Sequence, residues 1–273
     1  DGAPIVIGRV GRDEAGDALL ALLEEKGIDV SRVWRDADYR TPVKRRVLAG
    51  SPGSVRQQVV RIDCGGGPPV DIAAAPLLQA VRDLAASTRG TLVSDYSLGL
   101  VHPGTIAPIV GALRAGGRPV FVDSRTQLRL FRGVTAATPN LQEAEAVFGG
   151  SVGDDVARLA RAGALLREAL GAEAIVVTRG SRGMSLFSGG SDPVHLPVYG
   201  TDEVADVTGA GDTVIGAFAL ALLGGGTHLE AAVLANYAGG IVVMKRGTAT
   251  VSRDELRDAV RTDPALDAGS GRT

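Results

Sequence analysis

The chain has 273 residues, a length compatible with one large α/β domain, and 45% of them are hydrophobic, so a sizeable core can be buried. Aromatics make up only 4%, so that core has to be built from Ala, Val, Leu and Ile. With 29 Lys+Arg against 31 Asp+Glu the net charge is −2, which argues against a nucleic-acid coat or a polybasic membrane anchor. Cys64, the single cysteine, cannot close an internal disulfide, nor can it build a zinc site with the scattered His102, His195 and His228. It reads as a small, half-buried residue of a reducing, cytoplasmic compartment. No signal peptide is visible, and the longest apolar run, residues 214–223, falls well short of the roughly 20 residues of a membrane span. There is no initiator Met, and a strand begins almost at once, so the sequence reads as a fragment of a longer chain.

Residues 4–10 are strand-like, and 13–26 carry Ala15, Ala18, Leu19, Leu22 and Leu23 at helical spacing before Gly27. Residues 30–63 hold short β-like runs at Val33-Trp34, 42–48 and 55–62, separated by Asp, Gly, Ser and Pro. These predict one small antiparallel sheet that projects as a lid, because it is too small for a core of its own. Beyond Gly65-Gly66-Gly67-Pro68-Pro69 helices and strands alternate: helix 73–86, strand 91–94, helix 103–115, strand 119–123, strand 134–137, a helix from Leu141, helix 154–170 and strand 174–178. Such alternation predicts an α/β fold with a mostly parallel sheet covered on both faces. Helices 211–223, 229–244 and 253–261 follow, and the Gly/Ser/Ala/Asp-rich tail from 263 to 273 reads as flexible.

The most informative segment is Asp206-Val207-Thr208-Gly209-Ala210-Gly211-Asp212-Thr213, directly before an apolar helix. Small residues at Gly209, Ala210 and Gly211 let the backbone turn tightly and expose N–H groups at a helix start, an anion hole for a phosphate. Asp212 in the first turn can accept a hydroxyl proton as that hydroxyl attacks phosphorus. A Gly-rich loop with an Asp capping a buried helix is the plainer alternative. No P-loop motif is present. In Thr138-Pro139-Asn140-Leu141-Gln142-Glu143, Asn140 and Glu143 form a capping box. The same pair suits nucleotide phosphates and a Mg²⁺ held through water. Thr178-Arg179-Gly180-Ser181-Arg182-Gly183 ends a strand in a turn where open α/β sheets bind ligands; a simple hairpin turn into 184–187 is the alternative.

In this order, and over nearly the whole of residues 5–256, these elements resemble the PfkB/ribokinase family of carbohydrate kinases, most specifically at residues 206–212. Within it the chain is most similar to the kinase domain of heptose 7-phosphate kinases. The matching residues include Thr41, Lys44, Arg46, Gln57-Gln58, Arg61-Ile62-Asp63, Ser94-Asp95-Tyr96, Ala235-Asn236 and Gly247-Thr248. The resemblance implies a ribokinase-like three-layer α/β/α sandwich over residues 1–262 with a small β-sheet lid at about 30–63, lacking the family's first strand and sugar-binding segment. It implies ATP and Mg²⁺, with Asp212 as base and Gly209, Ala210 and Gly211 as anion hole. Asn140, Leu141, Gln142, Glu143, Thr178, Gly180, Gly183 and Asn236 would lie at the nucleotide, with Asn140 and Glu143 at the metal. Lys44, Arg46 and Asp95 would face the sugar. The reaction implied converts heptose 7-phosphate to heptose 1,7-bisphosphate. Kinases of another sugar or a nucleoside, and an inactive fragment or nucleotide-binding pseudokinase, remain alternatives. Leu98 stands where the heptose kinase pattern has a lysine. Some family members carry a nucleotidyltransferase domain after the kinase, and nothing after Asp263 resembles one. A homodimer through the lid is expected, because the lid's strands have no private core.

Overall fold

A computed structural model describes residues 2–50, 57–72, 76–190, 192–200 and 206–263; the expected strand start at Val55, the first residues of the 73–86 helix and the tail beyond Asp263 lie outside them. The chain divides into two compact units, one made of Asp1–Asp83 with Ser97–Pro108, the other of Leu84–Tyr96 with Ile109–Thr273.

The first unit opens with β1 (Ile5–Gly11), α1 (Glu14–Glu25) and β2 (Asp29–Asp36). Asp13 caps α1 by accepting from the Gly16 N–H, 2.8 Å away, and its other oxygen accepts from the Thr41 N–H at 2.8 Å. Thr41 in turn takes the Gly11 N–H on its hydroxyl at 2.8 Å. These bonds stitch the β1–α1 turn to the next strand, β3 (Arg40–Ala49), and the Thr41 bonds hold the Asp13 carboxyl below its usual range. β4 (Gln57–Gly66) pairs with β3 in antiparallel fashion.

One correction concerns the expected lid. The strand around Val33 and Trp34 belongs to β2, which runs parallel to β1, with Gly8 opposite Val33 and Arg9 opposite Trp34. A helical crossover such as α1 returns the chain in the same direction, so β2 cannot join an antiparallel ladder with β1. The antiparallel sheet is therefore the two-stranded β3–β4 hairpin alone. Its register puts Val43 opposite Cys64 and Val47 opposite Val60, while Lys44 lies opposite Asp63 and Arg46 opposite Arg61. Because side chains alternate, Val43, Val47, Val60 and Ile62 share one face, and Lys44 and Arg46 share the other. All four apolar residues are exposed. Cys64 is exposed as well, against the half-buried expectation, because the hairpin offers no layer to cover it.

α2 (Leu77–Ala85) leads toward the second unit, whose sheet contains β5 (Thr91–Asp95), β6 (Val120–Ser124), β7 (Ala136–Ala137), β8 (Ala174–Thr178), β9 (Met184–Ser188) and β10 (Val194–Leu196). The spatial order is β10-β9-β8-β7-β6-β5, with β5 to β8 mutually parallel and β9 and β10 antiparallel. The helices are α3 (Pro103–Ala115), α4 (Leu141–Phe148), α5 (Val156–Leu170), α6 (Ala210–Leu223), α7 (His228–Val243) and α8 (Arg253–Thr262).

Phe121, Ala136, Ala174, Val176, Met184 and Leu186 of the sheet pack against Val214, Ile215 and Phe218 of α6 and Ala231, Ala232 and Ala235 of α7. Phe218 meets Phe121 edge-on at 6.5 Å. Burying a side chain of this size stabilises by roughly 1.5–3 kcal/mol. The small residues of α7 permit the close approach that a core poor in aromatics requires. On the opposite face α5 approaches so closely that a Cβ on Gly163 would lie 2.4 Å from the Phe187 ring. The sheet is thus sandwiched between two helical layers, as expected. Its four parallel strands all end at the same edge, where open α/β folds place their ligands.

Candidate active site

At that edge the start of α6 is shaped by Asp206 and Gly209. Asp206 accepts the Thr208 N–H at 2.9 Å, and Gly209, the helix N-cap, has φ +81°. Among the described residues a Cβ on Gly209 would touch only Thr248, at 3.9 Å, so glycine is required there for its backbone conformation rather than for space. The Thr213 N–H and hydroxyl both turn back to the Gly209 carbonyl, at 3.0 and 2.9 Å. The N–H groups of Gly211 and Asp212 sit in the first turn, where a helix has no acceptor of its own for them. With the helix dipole they suit an anion.

Asp212 is exposed in that turn, and its Oδ2 accepts a hydrogen bond from the Tyr96 hydroxyl at 2.8 Å. Tyr96 directly follows β5. The Arg125 guanidinium lies 5.0 Å from its ring centroid. Burial, reinforced by Asp212, pushes the phenol far above its usual range, so it stays a protonated donor. Asp123, next to last in β6, is half-buried, and a Cβ on Gly211 would be 3.8 Å from its Oδ2. Burial first, then the charges of Glu143 and Asp212, raise the Asp123 carboxyl to about 7, against the opposing pull of Arg125. Glu143 is raised by burial too, opposed by its bonds to Asn140.

Asn140 and Glu143 form the capping box of α4: Asn140 accepts the Glu143 N–H and Glu143 accepts the Asn140 N–H, each at 2.9 Å. Asn140 also bridges to Thr178 at the end of β8. Leu141 and Gln142 begin α4 beside them. Thr138, just before, is 4% exposed, and its hydroxyl has no hydrogen-bond partner among the described residues. Gly180 has φ +60° and, among the described residues, nothing within 4 Å of a Cβ position. Gly183, at φ +72°, is excluded from carrying a side chain, since its Cβ would fall 2.1 Å from the Leu196 carbonyl. Asn236, half-buried on α7, donates to the Pro197 carbonyl at 2.7 Å.

Asp95 is 3% exposed and accepts from the Ser124 hydroxyl at 2.7 Å and the Gln127 amide at 3.4 Å. These bonds tie the ends of β5 and β6 together beneath Tyr96. Lys44 and Arg46 stand in the other unit, on the polar face of the β3–β4 hairpin.

The second unit therefore brings Asp212, Asn140, Glu143 and Thr178 to one sheet edge, along with three residues to which the sequence reading gave no site role. These are Tyr96, named there only within the matching Ser94-Asp95-Tyr96 run, and Asp123 and Arg125. A carboxylate closing the apolar run Val120-Phe121-Val122 was the available signal for Asp123, because a charge at the carboxyl end of a buried parallel strand sits where ligands bind. No group of three or more His, Cys, Asp or Glu residues suited to a metal occurs among the described residues. The paired carboxylates of Asp123 and Glu143 are hard oxygen donors that repel each other, a set that fits a Mg²⁺ ion keeping most of its water. Among the described residues no helix is long and apolar enough to cross a membrane.

The chain is 43% identical over 270 residues to the "Bifunctional protein HldE" of Halorhodospira halophila, covering 97% of this chain and 54% of that protein. It is 39% identical over 256 residues to the protein of the same name from Pelobacter propionicus, covering 92% and 50%. The chain spans about half the length of the curated relatives it matches. Its fold is like that of Arabidopsis thaliana ribokinase complexed with ribose and ATP, with a TM-score of 0.76 at 21% identity, covering 96% of this chain and 83% of that one. Phosphofructokinase-2 from Escherichia coli in complex with potassium gives 0.78 at 18% identity, covering 95% and 82%. The fold is ribokinase-like. A family model described as "pfkB family carbohydrate kinase" matches residues 107–255, more than half of the sequence and all of the site from Asp123 to Asn236, and the chain belongs to that family of phosphotransferases.

Proposed function

We propose that the chain transfers the γ-phosphoryl group of ATP to a sugar hydroxyl, with Asp212 as the base. The observation that carries this reading is the Asp212 carboxylate set in the first turn of α6 beside the N–H groups of Gly211 and Asp212; of the expected anion hole, the Ala210 N–H is taken by the Val207 carbonyl at 3.2 Å. In the reaction the acceptor oxygen bonds to phosphorus as its proton passes to Asp212, and the bond from phosphorus to the bridging oxygen of ADP breaks. Charge growing on the transferred group is met by the N–H groups of Gly211 and Asp212. Asn140, Glu143, Thr178 and Gly180 line the nucleotide side, with Gly183 and Asn236 shaping its backbone. Asn140 and Glu143, now joined by Asp123, would hold Mg²⁺ through water; the ion, when bound, neutralises phosphate charge.

The acceptor we favour is heptose 7-phosphate, giving heptose 1,7-bisphosphate, with Lys44 and Arg46 reading its charge and Asp95 supporting the sugar side. Similarity to the heptose kinase pattern at residues 41–46, 57–63 and 94–96, and about 40% identity to the bifunctional relatives, support it. Leu98, where that pattern has lysine, favours a second reading in which the acceptor is a different sugar. The exposed valines and isoleucine of the β3–β4 hairpin support a homodimer through that face. A cytoplasmic setting suits an exposed free thiol at Cys64.

The test is ADP release over free and phosphorylated sugars, for the wild type and Asp212→Asn. Asp212→Asn should lower turnover by about 10²–10⁴-fold with ATP binding intact. Wild-type turnover in that variant would remove Asp212 from the role of base.

A further inference from the structure

An exposed aspartate in the first turn of a helix ordinarily samples several rotamers. A base that must meet a hydroxyl oxygen in line with a phosphoryl group gains much of its efficiency from being held in one orientation. In this chain the restraint comes from an element 116 positions away in sequence, since the Tyr96 hydroxyl donates to Oδ2 of Asp212 at 2.8 Å. We propose that Tyr96 is a positioning residue for phosphoryl transfer, its hydroxyl anchoring Oδ2 of Asp212 and so presenting Oδ1 to the acceptor hydroxyl. The inference rests on Asp212 being the base and adds how that base is aimed.

The surroundings of the phenol fit this role. Tyr96 is half-buried, and the Arg125 guanidinium packs over its ring at 5.0 Å. The Arg125 backbone N–H donates to the Asp95 carbonyl at 3.2 Å, and the buried Asp95 carboxylate holds the Ser124 hydroxyl at 2.7 Å. The ring therefore stands beside a polar lattice that joins the ends of β5 and β6, with its hydroxyl on Oδ2 of Asp212. The acidic neighbours Asp123 and Asp212, added to burial, keep the phenol protonated, so it donates across the working pH range. A phenol that cannot ionise does not compete with Asp212 for the acceptor's proton; its contribution is orientation.

Tyr96→Phe removes the one hydroxyl and keeps the ring. With ATP and the best acceptor from the sugar screen, kcat should fall by about tenfold or more, the weight of a hydrogen bond to a charged group. KM for ATP and the melting temperature should stay as in the wild type. Tyr96→His, which keeps a ring donor, should retain more turnover than Tyr96→Phe. Combining Tyr96→Phe with Asp212→Asn should cost no more than Asp212→Asn alone, because both act through one carboxylate. If Asp212→Asn is inactive while Tyr96→Phe turns over normally, the role of Tyr96 is refuted and Asp212 stands. Equal losses in kcat and melting temperature, with no rescue by histidine, would make Tyr96 structural and also refute it. If Tyr96→Phe keeps kcat but hydrolyses ATP faster without sugar, the phenol is a brake rather than a guide, which again overturns the proposal. An active Asp212→Asn, or no acceptor that releases ADP, would defeat the underlying kinase reading and this inference with it.

Discussion

Replacing Asp123 by asparagine should make the protein more stable, and the gain should grow with pH. In the folded protein burial and the neighbouring Glu143 and Asp212 raise this carboxyl from 3.8 to about 7. A carboxyl whose folded value is raised binds its proton more tightly in the folded state. Stability from this group is therefore fully present at low pH and is lost as pH climbs from the unfolded value to the folded one. Each unit of separation is worth about 1.4 kcal/mol, so the whole shift sets an upper bound of about 4 kcal/mol. Of this, about 3 kcal/mol should be lost between about pH 5 and about pH 8, with little further loss above. Water reaching the partly open edge of the site reduces the loss to about 2 kcal/mol. Asparagine copies the neutral form and escapes the penalty. The assay is thermal or urea unfolding without nucleotide or Mg²⁺ at about pH 5 and about pH 8. At the higher pH the variant's advantage should exceed that at the lower by about 2 kcal/mol, or roughly 4–8 °C in Tm for a chain of this size. The same variant should lose turnover, since a carboxylate kept at a cost in stability is the mark of a functional site. A variant no more stable than the wild type, or one whose advantage does not change with pH, would show that Asp123 is well solvated and would refute the reasoning.

Three further outcomes follow from the geometry. Glu143→Gln should raise the Mg²⁺ concentration needed for half-maximal turnover; a loss of only about 1 kcal/mol in stability, with the Mg²⁺ dependence unchanged, would leave Glu143 as a helix cap alone. Gly183→Ala should destabilise by about 2 kcal/mol or more, because its Cβ would meet the Leu196 carbonyl and its backbone lies in the left-handed region; urea unfolding measures it. Val47→Lys should shift the protein toward monomer in light scattering, and a wild type that is already monomeric at micromolar concentration would remove the β3–β4 face as a dimer interface.

Local chemistry was legible in the sequence wherever a few adjacent residues decide the structure. The Asn140–Glu143 capping box, the tight turn at Gly209, and the alternation of helices and strands from β5 to β8 all depend on partners no more than a few positions apart. The placement of Asp212 in a first helical turn belongs to the same class. Its partners do not. The direction of β2 depends on the crossover through α1, and so the short β-like run at Val33-Trp34 looked the same whether it paired parallel or antiparallel. The exposure of Cys64 depends on how many layers cover a hairpin, which its own alternation leaves open. Tyr96 belongs to a run that matches the heptose kinase pattern, but its side-chain partner was not legible there, and Asp123 is a carboxylate closing a strand, ordinary in sequence. They become part of a site only because parallel strands end at one edge and α6 starts there. Capping and periodicity act over one turn or one pleat, so the sequence alone determined the elements and the helix-start chemistry of this protein. The pairing of strands and the convergence of Tyr96, Asp123 and Asp212 are set by burial of faces that lie far apart in the chain, and only the tertiary structure decided them.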